Sequence, residues 1–293
     1  MIGFVGNIQL ILKVKTLMRK VTYFVASLGV MLYGLTSFSA QAEAPNWSGP
    51  YAGLSGGYLS SQSKWSNQSN SGTESGIFGF EPYNQSFYYA PDSTASQTFN
   101  SSGAQIGVFG GYNWQIDKYI IGLEGDFSWA NNSSSKNFIP GLSGNCTGGY
   151  SCSGDSTSVK LGWNASLRPR FGYLLTPDTL LYGTAGLAVQ SVKISQTCQF
   201  SNTDPACQNM QTSPSSTATN NYTALGYALG AGVEKMIDAW VIRAEYRYNQ
   251  YNNINVSSLL SSPTINNKTV TTTSNSNVRI STQLINLGIA YRF

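Results

Sequence analysis

The chain has 293 residues, and only 10% of them are Asp, Glu, Lys or Arg, against about 25% in typical soluble domains. Aromatic residues reach 13%, the mean hydropathy is −0.16, and the formal net charge is +4. Beyond the N-terminus, no apolar run approaches the ~20 residues that a membrane helix needs. These values argue against an ordinary soluble domain and against a helical membrane protein. They are typical of a barrel whose strands alternate toward lipid.

Residues 1–42 have the features of a secretory signal peptide. A basic region precedes an apolar stretch over 21–35, and Ala40-Gln41-Ala42 supplies a small-x-small cleavage site. The basic residues are Lys13, Lys15, Arg19 and Lys20. A membrane anchor helix would need a longer apolar run. Because the basic region is complete from Met18 onward, residues 1–17 are a candidate over-called translation start.

Removal of the signal peptide also removes the net charge. The chain has 17 basic and 13 acidic residues; four of the basic ones and none of the acidic ones precede position 43. Thirteen of each therefore remain in residues 43–293. A nucleic-acid partner would require a basic surface that survives processing, so we expect none.

The remainder alternates between segments with an apolar period of two, which indicates strands, and long polar segments. Eight strands are predicted at about 51–59, 103–116, 119–130, 159–173, 180–190, 221–235, 240–248 and 281–293. Four long extracellular loops are predicted at about 60–102, 131–158, 191–220 and 249–280. Short and long connections alternate strictly, as in bacterial barrels with short periplasmic turns. The predicted fold is all-β, an eight-stranded antiparallel up-and-down transmembrane β-barrel.

The last predicted strand ends on an aromatic residue. Its apolar parity is Ile285, Leu287, Ile289, Tyr291 and Phe293. We interpret Tyr291 and Phe293 as an assembly signal, similar to the C-terminal strand signature of Gram-negative outer-membrane barrels.

Four segments carry a more specific resemblance: residues 47–53 (WSGPYAG), 122–127 (GLEGDF), 230–234 (GAGVE) and 288–293 (GIAYRF). Together they resemble the opacity-protein-like family, the eight-stranded, OmpA-like barrel of Gram-negative surface antigens that is often labelled porin family. The resemblance covers residues 43–293, and the cysteine-bearing loops and Arg243 depart from it. It implies a location in the outer membrane, contact with outer-membrane lipid, and assembly by the barrel-assembly machinery through the C-terminal strand.

Most of the charged residues lie on the polar face of the predicted strands, which alternates with the apolar face residue by residue. We expect a charge network in the lumen from Glu124, Asp126, Lys160, Arg168, Arg170, Glu234, Arg243, Glu245, Arg247 and Arg292. One interpretation is a selectivity zone in a small pore; the other is a closed core in which every ion has a partner. The interior of an eight-stranded barrel is only wide enough for side chains, which favours the closed core.

Four cysteines fall in the predicted loops: Cys146, Cys152, Cys198 and Cys207. Export to an oxidising compartment favours disulfides over zinc, and the spacings do not match zinc-finger pairs. Four cysteines allow three connectivities. We favour 146–152 and 198–207, because each pair lies within one polar loop.

Residues suited to catalysis are scarce. The chain has no histidine, which excludes a Ser-His-Asp triad and His-ligated zinc. Residues 53–57 fit G-x-S-x-G, but they lie within a strand rather than at a strand-to-helix turn. We therefore predict a non-enzymatic integral outer-membrane protein without a cofactor, with a structural or surface-interaction role and loops that contact a host or environmental ligand.

Two other functions stay open. One is a small porin of low conductance. The other is ligand capture by the loops, such as haem binding, which commonly uses His, Tyr or Met ligands. The candidate haem ligands are Tyr83, Tyr88, Tyr89, Tyr150 and Met210.

The signal-peptide hypothesis predicts that the mature chain begins at Glu43. Intact-mass measurement of the protein from outer membranes should give the mass of residues 43–293. A mass that still includes residues 1–42 would contradict the hypothesis.

Overall fold

The computed structural model describes residues 45–78, 81–89, 96–137, 156–199, 215–261 and 269–293. The predicted signal peptide lies outside these ranges, as do Cys146, Cys152 and Cys207, and the side chain of Cys198 is not described. The cleavage site and the disulfide pairing therefore stay predictions. The candidate haem ligands Tyr150 and Met210 also lie outside the described residues.

The described secondary structure consists of strands. They are β1 (Gly49–Phe78), β2 (Glu81–Tyr89), β3 (Ser96–Ile116), β4 (Tyr119–Asn137), β5 (Ser156–Thr176), β6 (Thr179–Gln199), β7 (Ser215–Ile237), β8 (Trp240–Tyr251), β9 (Ile254–Ser261) and β10 (Thr269–Arg292). Among the described residues, no helix is long and apolar enough to span a bilayer.

Eight strands pair into a closed ring. Hydrogen-bonded neighbours follow the order β1-β3-β4-β5-β6-β7-β8-β10, and β10 pairs in turn with β1. The closing ladder is antiparallel and runs from Tyr51 opposite Arg292 to Ser75 opposite Thr269. The two remaining segments extend the wall, since β2 pairs with the far part of β1 and β9 with the far part of β10. The prediction of an all-β, eight-stranded antiparallel barrel is confirmed.

Three tight turns lie at one end of the ring, which we call the turn end. They connect β3 to β4, β5 to β6 and β7 to β8 through residues 117–118, 177–178 and 238–239. Asp117 and Asp238 adopt a left-handed backbone with φ of 54°, a conformation that Asp tolerates better than most residues. The strict alternation of short and long connections explains why these turns lie together.

The strands are longer than predicted. The predicted loop bounds 60–102, 131–158, 191–220 and 249–280 are wrong wherever the structure continues a strand into them. β1 has 30 residues, and β6 and β7 continue as one ladder to Gln199 opposite Ser215. Val192 and Ile194, which fall in a predicted loop, are completely buried inside this ladder. The outward residues there are Ser, Thr, Asn and Lys, a composition that is also typical of loops.

The strands reverse their polarity along their length. Near the turn end, large apolar side chains point outward and form an apolar belt; Leu54 on β1 is 64% exposed. Farther along the strands, most outward side chains are polar, and the large inward ones are apolar, with small buried polar residues such as Ser61 and Ser63 among them. The inward set, called here the upper core, is Trp65, Phe99, Val159, Leu161, Ala188, Val192, Ile194, Ala224, Ala228, Tyr251, Ile254, Val256, Val278 and Ile280.

One strand, β5, changes phase at this transition, relative to both of its neighbours. The ladder of β4 with β5 is interrupted between Trp129 and Asn132, and that of β5 with β6 between Leu161 and Asn164. Extra residues of this kind shift which side chains face inward. Asn164 faces the lumen on one side of the interruption, and Leu161 faces it on the other.

A second apolar cluster fills the lumen at the turn end. This lower core is Trp47, Tyr51, Phe109, Ile120, Leu174, Leu180, Tyr182, Met236, Val241 and Ala290. Trp47 precedes β1 and is 1% exposed. Its backbone N–H donates to Gln115 Oε1 at 2.7 Å, and its indole N–H donates to Pro177 O at 3.0 Å. Trp47 thus links the end of β3 to the turn between β5 and β6, and it fills the lumen at the turn end.

The apolar belt leads to a depth-dependent prediction. We expect Leu54→Arg to lower the free energy of unfolding in lipid vesicles by about 2–4 kcal/mol, because a charge within the belt must enter hydrocarbon. Gln62→Arg, on the same strand and face but beyond the belt, is the matched control and should have little effect. Equal losses from both variants, measured by denaturant titration, would show that the belt does not face lipid.

Candidate functional site

Eight charged side chains meet in the lumen between the two apolar cores. We call them the lumen network: Glu124 and Asp126 on β4, Arg168 and Arg170 on β5, Glu234 on β7, and Arg243, Glu245 and Arg247 on β8. All eight are buried. They occupy the inward parity of their strands, so the period of two places four carboxylates and four guanidinium groups in one layer.

Glu124 has three charged partners in this layer, as many as Arg168. It is completely buried, and Oε1 accepts a hydrogen bond from Arg168 Nη2 at 2.9 Å. Oε2 lies 2.6 Å from Arg243 Nη2 and 3.5 Å from Arg170 Nη1, and it accepts a hydrogen bond from Tyr51 Oη at 2.7 Å. Arg168 comes from the neighbouring strand, whereas Arg243 reaches across the lumen from β8.

A second group of contacts joins Asp126 and Glu245. Arg247 Nη1 lies 2.8 Å from Asp126 Oδ1, and Arg247 Nη2 lies 2.8 Å from Glu245 Oε1. Arg168 bridges the same two carboxylates at 3.2 Å each. Tyr182 donates to the other Glu245 oxygen at 2.9 Å. Arg168 therefore connects this group to Glu124.

Glu234 completes the layer. It accepts hydrogen bonds from Arg170 Nη2 at 2.8 Å and from Arg243 Nε at 3.0 Å. The guanidinium carbon of Arg243 lies 4.0 Å from the centre of the Phe109 ring, and that of Arg170 lies 4.3 Å from the centre of the Tyr182 ring. Aromatic faces stabilise cations that have lost their hydration. Every charge in the layer thus has an opposite charge within ion-pair distance.

Glycines opposite the network make room for these long side chains. A Cβ atom on Gly232 would lie 2.6 Å from Tyr182 Oη, and one on Gly111 would lie 2.6 Å from Tyr51 Oη. A Cβ atom on Gly288 would lie 2.9 Å from Arg243 Cγ. The glycine-rich segments of the sequence are therefore part of how this narrow lumen accommodates four arginines.

The structure brings together eight of the ten residues predicted for the network. Lys160 is wrong: the interruption between Leu161 and Asn164 turns it to the outer face, where it is exposed. Arg292 is also wrong, because it lies at the turn end and donates to the backbone oxygens of Asn46 and Ser48 instead.

Sequence reasoning did not identify Tyr51 and Tyr182 as partners of the network. A signal was present for Tyr51, since the other residues of its parity at the start of β1 are Gly53, Ser55 and Gly57. An aromatic residue among small residues on the lumen parity indicates a side chain that fills the lumen.

The network lies between the two cores, so apolar side chains fill the lumen on both sides of it. At its lower edge, a cavity of about 10 Å³ is lined by Trp47, Tyr51, Asn113, Arg170, Glu234, Val241, Ala290 and Arg292. This is room for about one water molecule. The arrangement is a packed ionic core rather than a water-filled channel.

An ion pair at the turn end differs from the network in its exposure. Lys235 on β7 pairs with Asp178 of the β5–β6 turn, and the Asp178 side chain is 39% exposed. Burial raises the pKa of Asp178, but hydrogen bonds with Lys235, Thr176 and Thr179 outweigh it and lower the pKa below its usual value. This partly exposed pair is therefore a suitable control for the buried ion pairs of the lumen network.

Comparison with known proteins identifies the family. Residues 29–293 match the family model described as the outer membrane protein beta-barrel domain. The chain belongs to this family. The predicted family and the predicted outer-membrane location are therefore confirmed.

Curated relatives are outer-membrane proteins of Gram-negative bacteria. The 22 kDa outer membrane protein of Rhizobium leguminosarum bv. viciae is 34% identical over 49% of this chain and 51% of its own length. The 25 kDa outer-membrane immunogenic protein of Brucella canis is 31% identical over 64% of this chain and 65% of its own length. The chain thus spans about half to two thirds of the length of these relatives.

Among solved structures, the outer membrane protease OmpT from Escherichia coli aligns with 87% of this chain and 100% of its own, at 13% identity and a TM-score of 0.38. A likeness of this size carries no inference about activity.

The closed ionic core predicts strong coupling between Glu124 and Arg168. We expect Glu124→Ala to lower the free energy of unfolding by about 3–5 kcal/mol, because it leaves arginines buried without their partner. Adding Arg168→Ala should then cost less than Arg168→Ala alone in the parent. Denaturant titration of the four proteins of this double-mutant cycle measures the coupling.

The matched control is the Asp178→Ala and Lys235→Ala cycle at the turn end. This partly exposed pair should couple by about 0.2–1 kcal/mol. Small, additive losses in the Glu124 cycle, no larger than those of the control, would contradict the closed core and support hydrated, screened charges.

Proposed function

We propose that the protein is a non-enzymatic surface protein whose closed barrel anchors strand extensions and loops for contact with a ligand outside the cell. The observation that carries the proposal is the reversal of polarity along the strands. It separates a lipid-facing wall with an ionic lumen from a water-facing wall with an apolar lumen. The second wall has the character of a soluble β-barrel and is held at a fixed distance from the membrane.

The lumen supports an anchoring role over transport. An ion that entered from either end would meet the upper core or the lower core first. In the middle it would meet four carboxylates already bound to four guanidinium groups. Because the layer carries no excess charge, it offers no binding site that selects cations or anions.

The water-facing wall supports a role in surface contact. Its outward residues form ordered ladders of hydroxyl groups: Ser195 lies 2.9 Å from Thr219, and Thr197 lies 2.9 Å from Thr217, between their hydroxyl oxygens. The cross-strand backbone bonds of β6 and β7 hold these groups in register. A rigid polar wall rich in hydroxyl groups suits recognition by another protein or by a carbohydrate. The Brucella canis relative is named an immunogenic protein, which supports exposure of this wall to the exterior.

Membrane lipid and the assembly machinery are the other partners that we propose. The apolar belt is the surface that lipid would cover. Tyr291 and Phe293 lie outward on the edge of the belt at the turn end, and their rings pack at 5.3 Å between centroids. Their exposure leaves them accessible to a protein that recognises the last strand during insertion.

A planar-bilayer recording tests the closed lumen. We expect the protein, inserted from detergent, to give no stepwise current under conditions in which a known porin conducts. Arg247→Ala should not introduce a selective current either. A stable single-channel current whose ion selectivity changes in Arg247→Ala would contradict the proposal and establish the low-conductance porin.

A further inference from the structure

Two pairs of like charges lie directly opposite each other on the outer wall. Lys160 on β5 is the register partner of Lys193 on β6, and Lys64 on β1 is the register partner of Arg279 on β10. All four side chains are exposed on the outer face. Directly opposite residues have Cβ atoms only about 5 Å apart, so like charges at such positions destabilise a sheet. Two instances in one small barrel call for a compensating partner.

Each cationic pair continues on both sides into hydrogen-bonding groups. Ser133 lies opposite Lys160 on β4, and Asn221 lies opposite Lys193 on β7. Around the other pair, Thr98 lies opposite Lys64 on β3, and Arg279 donates to Asn253 Oδ1 at 2.9 Å. The first row thus reads hydroxyl, cation, cation, amide across β4, β5, β6 and β7. The second has the same order of groups, but its amide belongs to Asn253 in the link between β8 and β9.

The two rows lie on opposite sides of the barrel. In the ring order, two strands separate the β5–β6 pair from the β10–β1 pair in either direction. The repetition of the same four side-chain types at opposite positions argues against a chance arrangement. We call these rows the cationic rows.

The described part of the chain supplies no anion for these cations. The described side-chain carboxylates lie in the lumen network, in the three tight turns, or at Glu81, where β2 begins. Among the described residues, no ion pair involves Lys64, Lys160 or Lys193. The compensating charge must therefore come from outside the described chain.

The height of the rows above the apolar belt indicates where the compensating negative charge comes from. Lys64 lies six residues beyond Tyr58, and Arg279 lies six residues beyond Ile285, which are the last large outward apolar residues before each cation. At about 3.3 Å per residue and a strand tilt of about 40°, this is about 15 Å above the apolar belt. Long cationic side chains can bend back toward the membrane. The rows therefore border the headgroup layer at the end opposite the tight turns.

We propose that each cationic row binds a phosphate group of the glycolipid in the outer leaflet of the outer membrane. A phosphate oxyanion placed between the two cations neutralises both, which removes the repulsion across the ladder. The flanking hydroxyl and amide groups donate further hydrogen bonds to its oxygens. This proposal depends only on the outer-membrane location and on residues of the outer wall. It does not depend on which ligand the loops contact.

Native mass spectrometry of the purified protein in neutral detergent tests the proposal with added lipid A, a phosphorylated glucosamine lipid. The parent protein should bind two lipid A molecules. Lys160→Ala combined with Lys193→Ala should remove one of them, with an affinity loss of about thirtyfold at that site. Adding Lys64→Ala and Arg279→Ala should remove the second. Lipid A without phosphates should bind the parent no better than the fourfold variant.

The matched control is Lys118→Ala combined with Lys136→Ala, which removes two exposed lysines that do not face another cation. It changes the net charge equally and should retain both lipid A molecules. An equal loss in this control would overturn the proposal in favour of nonspecific attraction. If an equal concentration of inorganic phosphate released lipid A, the rows would bind phosphate without preference for the lipid, and the proposed ligand would be wrong. Heat-dependent gel mobility of each variant checks that it is folded, so that weak binding is not attributed to a lost barrel.

Discussion

A backbone N–H or C=O group without a partner costs several kcal/mol within a bilayer, because hydrocarbon offers no hydrogen bond. The ladder between β1 and β10 removes this cost from the two strands that would otherwise be edges, and it does so over most of the length of β1. Once eight strands close, the lumen is only wide enough for side chains. Every inward residue must then be packed or paired, and the remaining features of the barrel follow from that limit.

The lumen network meets this limit with charges, although buried ion pairs often add little to stability. Their advantage here is specificity of register. A slip of one residue on β4, β5 or β8 would turn Glu124, Arg168 or Arg243 outward into lipid, where a lone charge is costly. The contacts that cross the lumen, such as that of Arg243 with Glu124, also fix facing walls relative to each other. The ionic core thus allows one pairing of the strands and penalises the alternatives.

Alternation alone was enough to predict the ring and eight of the ten lumen charges, because a strand between lipid and a polar lumen has strongly contrasting faces. It failed at Lys160 because no local residue type marks the interruption before Asn164 that changes the phase of β5. It failed at Arg292 because this residue lies at the turn end, where its guanidinium meets the backbone of Asn46 and Ser48 instead of a carboxylate. Strand lengths were underestimated because hydroxyl-rich outer faces have the composition of loops, even where inward Val192 and Ile194 keep a period of two.

The wrong placement of Lys160 on β5 and the underestimated strand lengths have one cause. Where lipid surrounds the barrel, the apolar face must be outside and the lumen can hold charges; where water surrounds it, stability requires an apolar interior, as in a soluble sheet. Each strand must exchange its faces at the level where lipid gives way to water. β5 does so through its interruption, and the same extra residues carry Lys160 from the lumen parity to the outer wall, opposite Lys193. The phase change that satisfies the interior therefore also creates the like-charge pair on the surface, at the level where an anionic headgroup is available to neutralise it.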